Sequence, residues 1–272
     1  MITDYLKLPR LKELIRKTAG DNVTSWLHGA RYVYRLRTVR PEADLALLHL
    51  VLSDGDVAID VGANGADWSV AMSKLCGTNG RVFAFEADPY YALVTKRALR
   101  LLRVKNVEFF SFGLSDKNEE TRLRVVLDDG VRTSGRGYVS PDANASDTVP
   151  ITLVTLDSLV ATHPPLAKTK VLKCDVEGYE LKVLLGSSKV LESRPIIICE
   201  VGHEDLHGAE SDSLTSWLLA RGHEMFVVGS DLSSLEPCRV GDAIDELSRP
   251  NRWFVPTELT GDPRLKASIR RS

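Results

Sequence analysis

A glycine-rich turn and a carboxylate further along the chain form the pattern that is most suggestive of chemistry. The turn is Asp60-Val61-Gly62-Ala63-Asn64-Gly65, and Glu86 follows Gly62 by 24 positions. Glycine residues let the backbone approach a ligand closely, and the start of the following helix offers free N–H donors. A carboxylate at the end of a second strand can accept hydrogen bonds from both ribose hydroxyls of an adenosine. Together the two features predict a site for a ligand that contains adenosine.

The spacing within the turn distinguishes two classes of such ligand. A dinucleotide site needs G-x-G-x-x-G, whereas the second and third positions counted from Gly62 are Asn64 and Asp67. Asp67, close to the start of the helix, would repel a pyrophosphate. S-adenosylmethionine has no phosphate and carries a sulfonium cation and an ammonium group, which Asp60 can face directly or through water. The turn therefore favours S-adenosylmethionine over a nicotinamide dinucleotide.

Acidic residues and a histidine gather after two later apolar runs. Asp175, Glu177 and Glu180 follow the fourth predicted strand, and His203 follows the fifth. Because an alcohol keeps its proton at neutral pH, reaction at its oxygen is helped by a base, and His203, Asp175 and Glu177 are the candidates. Two other interpretations stay open. Carboxylates in a first helical turn stabilise the helix dipole, and carboxylate oxygens can hold Mg²⁺, although no spacing in the sequence requires a metal.

The hydrophobic pattern predicts a scaffold that brings these strand ends together. From about residue 56, short apolar runs alternate with helical stretches at Trp68–Leu75 and Pro89–Leu102, which is typical of βαβ units. We predict an α/β, Rossmann-like fold with a mostly parallel seven-stranded sheet and helices on both faces. The seven predicted strands are Val57–Val61, Val82–Phe85, Val107–Phe112, Val171–Cys174, Ile196–Val201, Met225–Val228 and Trp253–Val255.

The remaining segments differ from this pattern. Residues 1–50 look helical and basic, which predicts an N-terminal extension that caps the domain or, alternatively, meets a membrane surface or a partner. Leu123–Leu127 and Ile151–Val154 are candidate extra strands, and they flank Asp128–Thr148, a polar stretch that is either a surface loop or a mobile lid over the acceptor site. We expect the main domain to span residues 51–260 and residues 261–272 to form a basic tail.

Composition limits the class of protein. The 272-residue chain has a formal net charge of −2, so we expect no nucleic-acid partner. None of the four cysteines forms a C-x-x-C pair, and Cys174 and Cys199 lie in neighbouring predicted strands, which favours buried free thiols. No apolar stretch is long enough to span a bilayer and no secretory leader is evident, so we expect a cytoplasmic protein without a transmembrane segment.

The chain resembles the FkbM family of methyltransferases from about Asp56 to Val201. The Lys-x-Asp-Val-Glu-Gly-x-Glu run is the most specific part of the resemblance, whereas the glycine turn is shared with many other methyltransferases. An acid at Asp88 departs from the family pattern and affects the turn after Glu86. Besides the glycine turn, the resemblance is carried by Phe85-Glu86, Gly113-Leu114-Ser115-Asp116, Thr155-Leu156-Asp157, Lys173-Cys174-Asp175-Val176-Glu177-Gly178-Tyr179-Glu180, and Arg194-Pro195 leading to Glu200.

The resemblance implies a class I methyltransferase fold and methyl transfer from S-adenosylmethionine to an oxygen. The expected acceptor is a small molecule or glycan: a sugar, a glycolipid or a secondary metabolite. Glu86 would hold the ribose and Asp116 would lie near the adenine. A nicotinamide-dependent oxidoreductase and a non-catalytic interaction module are the alternatives. The residues expected to contact the donor are Asp60, Gly62, Ala63, Asn64, Gly65, Glu86, Asp116 and Asp175.

Overall fold

One large β-sheet with helices on both faces organises the chain. The computed structural model describes residues 9–38, 42–125, 137–140, 147–201, 210–240, 242 and 251–270. In chain order the strands are β1 Val57–Val61, β2 Arg81–Phe85, β3 Val107–Phe110, β4 Gly113–Leu114, β5 Glu119–Arg124, β6 Tyr138–Val139, β7 Thr148–Val154, β8 Thr169–Cys174, β9 Ile196–Glu200, β10 His223–Val228, β11 Leu235–Pro237 and β12 Asn251–Pro256. The α-helices are α1 Pro9–Thr38, α2 Ala43–Leu47, α3 Asp67–Cys76, α4 Pro89–Leu101, α5 Leu156–Leu159, α6 Glu180–Leu185, α7 Ser188–Leu191, α8 Glu210–Leu219 and α9 Pro263–Lys266.

The main sheet has the strand order β11-β10-β12-β9-β8-β1-β2-β3. Strands β9, β8, β1, β2 and β3 are parallel to one another, whereas β12 is antiparallel to both β9 and β10. The strand order reverses between β1 and β8, and in such sheets ligands bind at the carboxyl ends of the strands beside the reversal. This topology confirms the predicted α/β, Rossmann-like fold.

The continuous apolar runs arise because both faces of the central strands are buried. Val57, Ile59 and Val61 of β1 pack in one cluster with residues of α6, α7 and α8. Ala58, which points to the opposite face, packs in a second cluster with Trp68 and other residues of α3. The alternation of side chains along β1 thus joins the sheet to helices on either side.

Two features of the described sheets differ from the prediction. The main sheet has eight strands instead of seven, because β11, only three residues long, pairs antiparallel with β10 at the edge. A run this short carries no alternating pattern. A second sheet has the strand order β4-β7-β5-β6. The predicted strand Val107–Phe112 ends at Phe110, and the next strand, Gly113–Leu114, pairs with β7 in this second sheet. The extra strand predicted at Leu123–Leu127 corresponds to Glu119–Arg124.

Segments near both ends of the chain pack onto the domain. Helix α1 is interrupted at Gly20, which has a φ of 73°, and its second half lies along α4, where Gly29 approaches Val94. Leu48, in the short 3-10 helix after α2, is 0% exposed, and Leu265 of α9 is buried in the same cluster. Residues 43–50 and 261–270, which the sequence assigns to the extension and the tail, therefore contribute to the domain core.

Several other expectations concern single residues or segments. Cys174 and Cys199 are register partners on β8 and β9, and both are buried free thiols, as predicted. Of the expected loop or lid Asp128–Thr148, only residues 137–140 and 147–148 are among those that the structure describes. Within the described ranges, no helix combines the length and apolar character needed to cross a membrane.

Candidate active site

A cleft of about 350 Å³ opens at the carboxyl ends of β1, β2 and β8. The glycine turn after β1 and the residues after β2 and β8 form its polar side. The second sheet forms an apolar side with Leu123, Val139, Ile151 and Leu153. The cleft therefore offers an apolar wall and a polar wall to one ligand, at the place where the strand order reverses.

The glycine turn brings the ends of β1, β2 and β8 close together. Gly62 has a φ of 82°, and a Cβ at this position would overlap the backbone carbonyl of Asp175. The N–H groups of Gly62 and Ala63 both donate to the carbonyl of Phe85, at 3.0 Å each. A side chain at Gly62 is therefore excluded by both the backbone conformation and the available space.

Glu86 lies where β2 ends and is 8% exposed. One carboxylate oxygen accepts the N–H of Asn64 at 3.0 Å, and the other accepts the N–H of Asp88 at 2.9 Å. Burial raises the pKa of Glu86 to about 7, although these two hydrogen bonds oppose the shift. Because each oxygen has accepted one hydrogen bond, each keeps a lone pair that can accept a ribose hydroxyl.

Asp88, the departure from the family pattern, has a structural role. Its side chain accepts hydrogen bonds from the N–H groups of Tyr90 at 2.8 Å and Tyr91 at 3.4 Å, which makes it the N-cap of α4. Pro89 occupies the first position of the helix, where the absence of an N–H costs nothing. Asp88 therefore caps the start of α4, and the Glu86 carboxylate remains in the lining of the cleft.

A buried lysine lies beneath the cleft. Lys173 is 1% exposed, its Nζ lies 3.2 Å from Oδ2 of Asp175, and it lies 5.2 Å from the centre of the Trp68 ring. Burial alone would lower the pKa of Lys173, but Asp175 and Asp60 raise it above its ordinary value. Lys173 thus balances the negative charge of the Asp175 side chain, which lines the cleft.

The chain after β8 makes a tight turn that presents Glu177 to the cleft. Glu177 and Gly178 have φ values of 54° and 96°, and this left-handed backbone reverses the chain. Glu180 stabilises the turn because its carboxylate accepts the N–H groups of Val176 at 2.8 Å and Gly178 at 3.0 Å. Of the three acids predicted here, Asp175 and Glu177 line the cleft, and Glu180 supports the backbone between them.

The other predicted donor-contacting residues occupy different places. Asp60 is 1% exposed, accepts a hydrogen bond from the hydroxyl of Ser69, and lies below the turn. Burial raises the pKa of Asp60 to about 6. Gly65 donates its N–H to Thr95 at 3.0 Å, and Asp116 is exposed outside the lining of the cleft.

His203 lies outside the residues that the structure describes, as does the whole of 202–209. The prediction that it serves as a base stays a prediction from sequence. Glu200, at the end of β9, does line the cleft. Within the described part of the chain, no group of three or more His, Cys, Asp and Glu residues is arranged to hold a metal ion.

The sequence predicts that the N-terminal extension is helical, but it does not indicate that α1 reaches the site. His28, Arg31, Tyr32 and Arg35 line a second cavity, next to the glycine turn. Their spacing places them on one face of a helix, which is a signal that the sequence does contain. Helical periodicity shows which side chains share a face, but it does not show which surface that face meets.

The chain is also similar in sequence to proteins of one methyltransferase family. The methyltransferase FkbM domain family matches residues 60–225. The hexuronic acid methyltransferase AglP of Haloferax volcanii is 27% identical over 190 residues, which cover 69% of this chain and 74% of that protein.

Two solved structures are also similar. Methyltransferase FkbM from Methylobacillus flagellatus KT matches 86% of this chain with 15% identity and a TM-score of 0.48, and this chain spans 54% of its length. Fibrillarin from Aeropyrum pernix was solved with bound S-adenosyl-L-methionine. The match covers 78% of this chain and 73% of the fibrillarin chain, with 14% identity and a TM-score of 0.43.

The family match spans well over half of the chain and includes the glycine turn, Glu86 and the run from Lys173 to Glu180. It therefore confirms both the resemblance and the class of enzyme predicted from these residues. The chain belongs to the FkbM family of methyltransferases.

Proposed function

We propose that this protein transfers a methyl group from S-adenosylmethionine to an oxygen of a sugar, with a glycan that contains a hexuronic acid as the first acceptor class to test. The observation that carries the proposal is Glu86, a buried carboxylate that faces the same cleft as the glycine turn. The relative from Haloferax volcanii, a hexuronic acid methyltransferase, favours a sugar over a glycolipid or secondary metabolite.

The residues of the cleft fit the proposed donor. Glu86 has free lone pairs for the two ribose hydroxyls, and Gly113 and Leu114 line the cleft on the side expected for the adenine. Gly62 and Asn64 lie between Glu86 and Asp175, where the methionine part would pass. When bound, the donor supplies an electrophilic methyl group on a positively charged sulfur.

The protein has to align the acceptor oxygen and remove its proton. The acceptor oxygen bonds to the methyl carbon as the bond from carbon to sulfur breaks, and the proton passes to a base. We assign Asp175 mainly to positioning, because its side chain is paired with Lys173. Glu177, which lines the cleft, and His203, on sequence grounds, are the two candidates for the base.

The test has a binding part and a transfer part. Calorimetric titration with S-adenosylhomocysteine, with NAD as the control, tests the class of ligand. Transfer of a labelled methyl group to purified glycans with and without uronic acids tests the acceptor class. Binding of NAD in place of S-adenosylhomocysteine would overturn the proposal, and transfer only to neutral glycans would exclude the uronic acid.

The base is identified by comparing variants in the same transfer assay. Loss of a general base typically lowers the rate about 10²–10⁴-fold, so either His203→Ala or Glu177→Gln should do so with little change in donor affinity. Asp175→Asn should lower both the transfer rate and the affinity for the donor. Activity that is lost with a chelator and returns with Mg²⁺ would favour the metal-assisted alternative instead.

A further inference from the structure

A second cavity, of about 330 Å³, lies between α1 and the glycine turn. Glu42, Gly62, Asn64 and Asp175 line both cavities, so the two adjoin at the turn. Glu86, the proposed ribose site, lines only the first. A donor with its ribose at Glu86 and its methionine part along Gly62 therefore points its amino-acid end toward the second cavity.

Helix α1 is held over this cavity by specific contacts. The ring of Tyr32 lies so close to Gly65 that a Cβ there would overlap it, and the Tyr32 hydroxyl lies 3.4 Å from Oδ1 of Asn64. The hydroxyl of Tyr90 and Nδ1 of His28 are 2.8 Å apart. The side chains that α1 contributes to the cavity are thus placed by the turn itself and by α4.

Two of the carboxylates around the cavity, Asp67 and Asp175, belong to ion pairs in the part of the chain that the structure describes. Arg35 forms an ion pair with Asp67, and Asp175 is paired with Lys173. Arg31, which also lines the cavity, has no carboxylate partner among the residues that the structure describes. The cavity therefore has an unneutralised guanidinium on the α1 side.

The opposite side of the cavity, next to the donor cleft, is acidic. Glu42 and Asp175 line this shared edge. Partial loss of contact with solvent raises the pKa of Glu42, although the positive charge of Lys173 opposes the shift. A guanidinium on one side and carboxylates on the other match the two charges of an α-amino acid.

We propose that this cavity binds the amino-acid end of the methyl donor, with Arg31 bound to its carboxylate and with Glu42 and Asp175 facing its ammonium group. The inference rests on the proposed function, since it assumes the same donor. Arg31 lies outside residues 60–225, which match the family, so the N-terminal extension would supply part of the donor site.

The test compares two ligands that differ only in this part. S-adenosylhomocysteine carries the amino-acid end, and 5′-methylthioadenosine lacks it but keeps the adenosine. Calorimetry should show that Arg31→Ala weakens binding of S-adenosylhomocysteine about tenfold, the scale of one partly exposed charge-assisted hydrogen bond, and leaves 5′-methylthioadenosine within twofold. Arg31→Lys should restore part of the loss. Arg37→Ala, an exposed arginine of α1 outside the cavity lining, is the matched control.

The outcomes separate this inference from the function on which it rests. If the wild-type protein binds both ligands and Arg31→Ala changes neither affinity, the inference is wrong and the donor assignment stands. The same holds if Arg31→Ala weakens both ligands equally, because the effect would then not depend on the carboxylate. If the wild type binds neither ligand, both proposals fail. Thermal unfolding of each variant shows whether a loss of binding reflects a loss of folding.

Discussion

Glu86 combines burial with a proposed role, binding of the donor ribose, that favours the charged carboxylate. Its two oxygens accept backbone N–H groups from Asn64 and Asp88, yet burial raises its pKa to about 7. The ionised carboxylate is the better acceptor for ribose hydroxyls, because a protonated oxygen loses accepting capacity. Donor binding at Glu86 should therefore favour the deprotonated state and depend on pH near neutrality.

We predict that the affinity for S-adenosylhomocysteine rises about tenfold between pH 6 and pH 8, because at pH 6 binding must first release a proton from Glu86. Calorimetry across this range should show the rise in the wild type and in Glu120→Gln, an exposed control. Glu86→Gln should bind more weakly at pH 8 and lose most of the dependence. An equal pH dependence in Glu86→Gln would assign the titration to another group.

The same pKa shift has the opposite effect on the stability of the free protein. Because the folded-state pKa of Glu86 lies above its ordinary value of 4.5, its contribution to the free energy of unfolding is fully present below pH 4.5. It is lost as the pH rises through about 7. Conditions that stabilise the free domain through Glu86 are thus those that weaken donor binding.

How far sequence predicts a site residue depends on the direction of its side chain. The place of Glu86 in the site was predictable because it ends the second predicted strand, whose carboxyl end lies beside the glycine turn after the first. Asp60 lies one residue before the end of β1, on the same face as Ala58, and this alternation turns it toward Ser69 of α3. It lines neither cavity. The spacing of the turn alone does not reveal this direction.

At the scale of elements, the long parallel strands were predictable and the short ones were not. The strands that border the reversal of strand order are continuous apolar runs, so their carboxyl ends could be located from sequence. Strands β4, β6 and β11 have two or three residues each, too few for a periodic pattern. The docking of α1 depends on contacts between residues that are about 30 to 75 positions apart, which no local pattern records.

Arg97 of α4 anchors α1 to the domain. It is 8% exposed and donates hydrogen bonds to the backbone carbonyl of Asn22, at 2.7 Å, and to the hydroxyl of Ser25. The Trp26 ring covers its guanidinium at 5.0 Å. Because the donor's amino-acid end is proposed to lie beneath α1, this anchor should affect donor binding from a distance.

We predict that Arg97→Met loosens α1 and lowers the affinity for S-adenosylhomocysteine several-fold, since burying unpaired acceptors costs about 1–3 kcal/mol. Limited proteolysis should show faster cleavage within residues 20–38, while the rest of the domain stays protected. Lys96→Ala, an exposed neighbour on α4, should change neither property. Unaltered cleavage of Arg97→Met would show that other contacts suffice to hold the helix.

At the scale of the whole molecule, the extension divides into two parts with different roles. One face of residues 20–38 lines the cavity that we propose for the amino-acid end of the donor, whereas residues 43–50 belong to the core. Leu47 and Leu48 are 2% and 0% exposed, and the Asp44 side chain accepts a hydrogen bond from the Trp253 indole at 2.7 Å. This contact joins the start of the domain to β12, which lies three strands away from β1 in the main sheet.

We predict that Leu48→Ala destabilises the whole domain by about 2–5 kcal/mol, the usual cost of removing a fully buried leucine side chain. That is a large fraction of the total stability of a typical domain, which is about 5–15 kcal/mol. Urea unfolding followed by fluorescence and by circular dichroism should show one coincident transition, shifted to lower urea. Leu93→Ala, at a leucine of α4 that is 39% exposed, should cost well under half as much. A Leu48→Ala protein as stable as the wild type, or one in which the two signals separate, would show that residues 43–50 are an appendage and that the domain begins near β1.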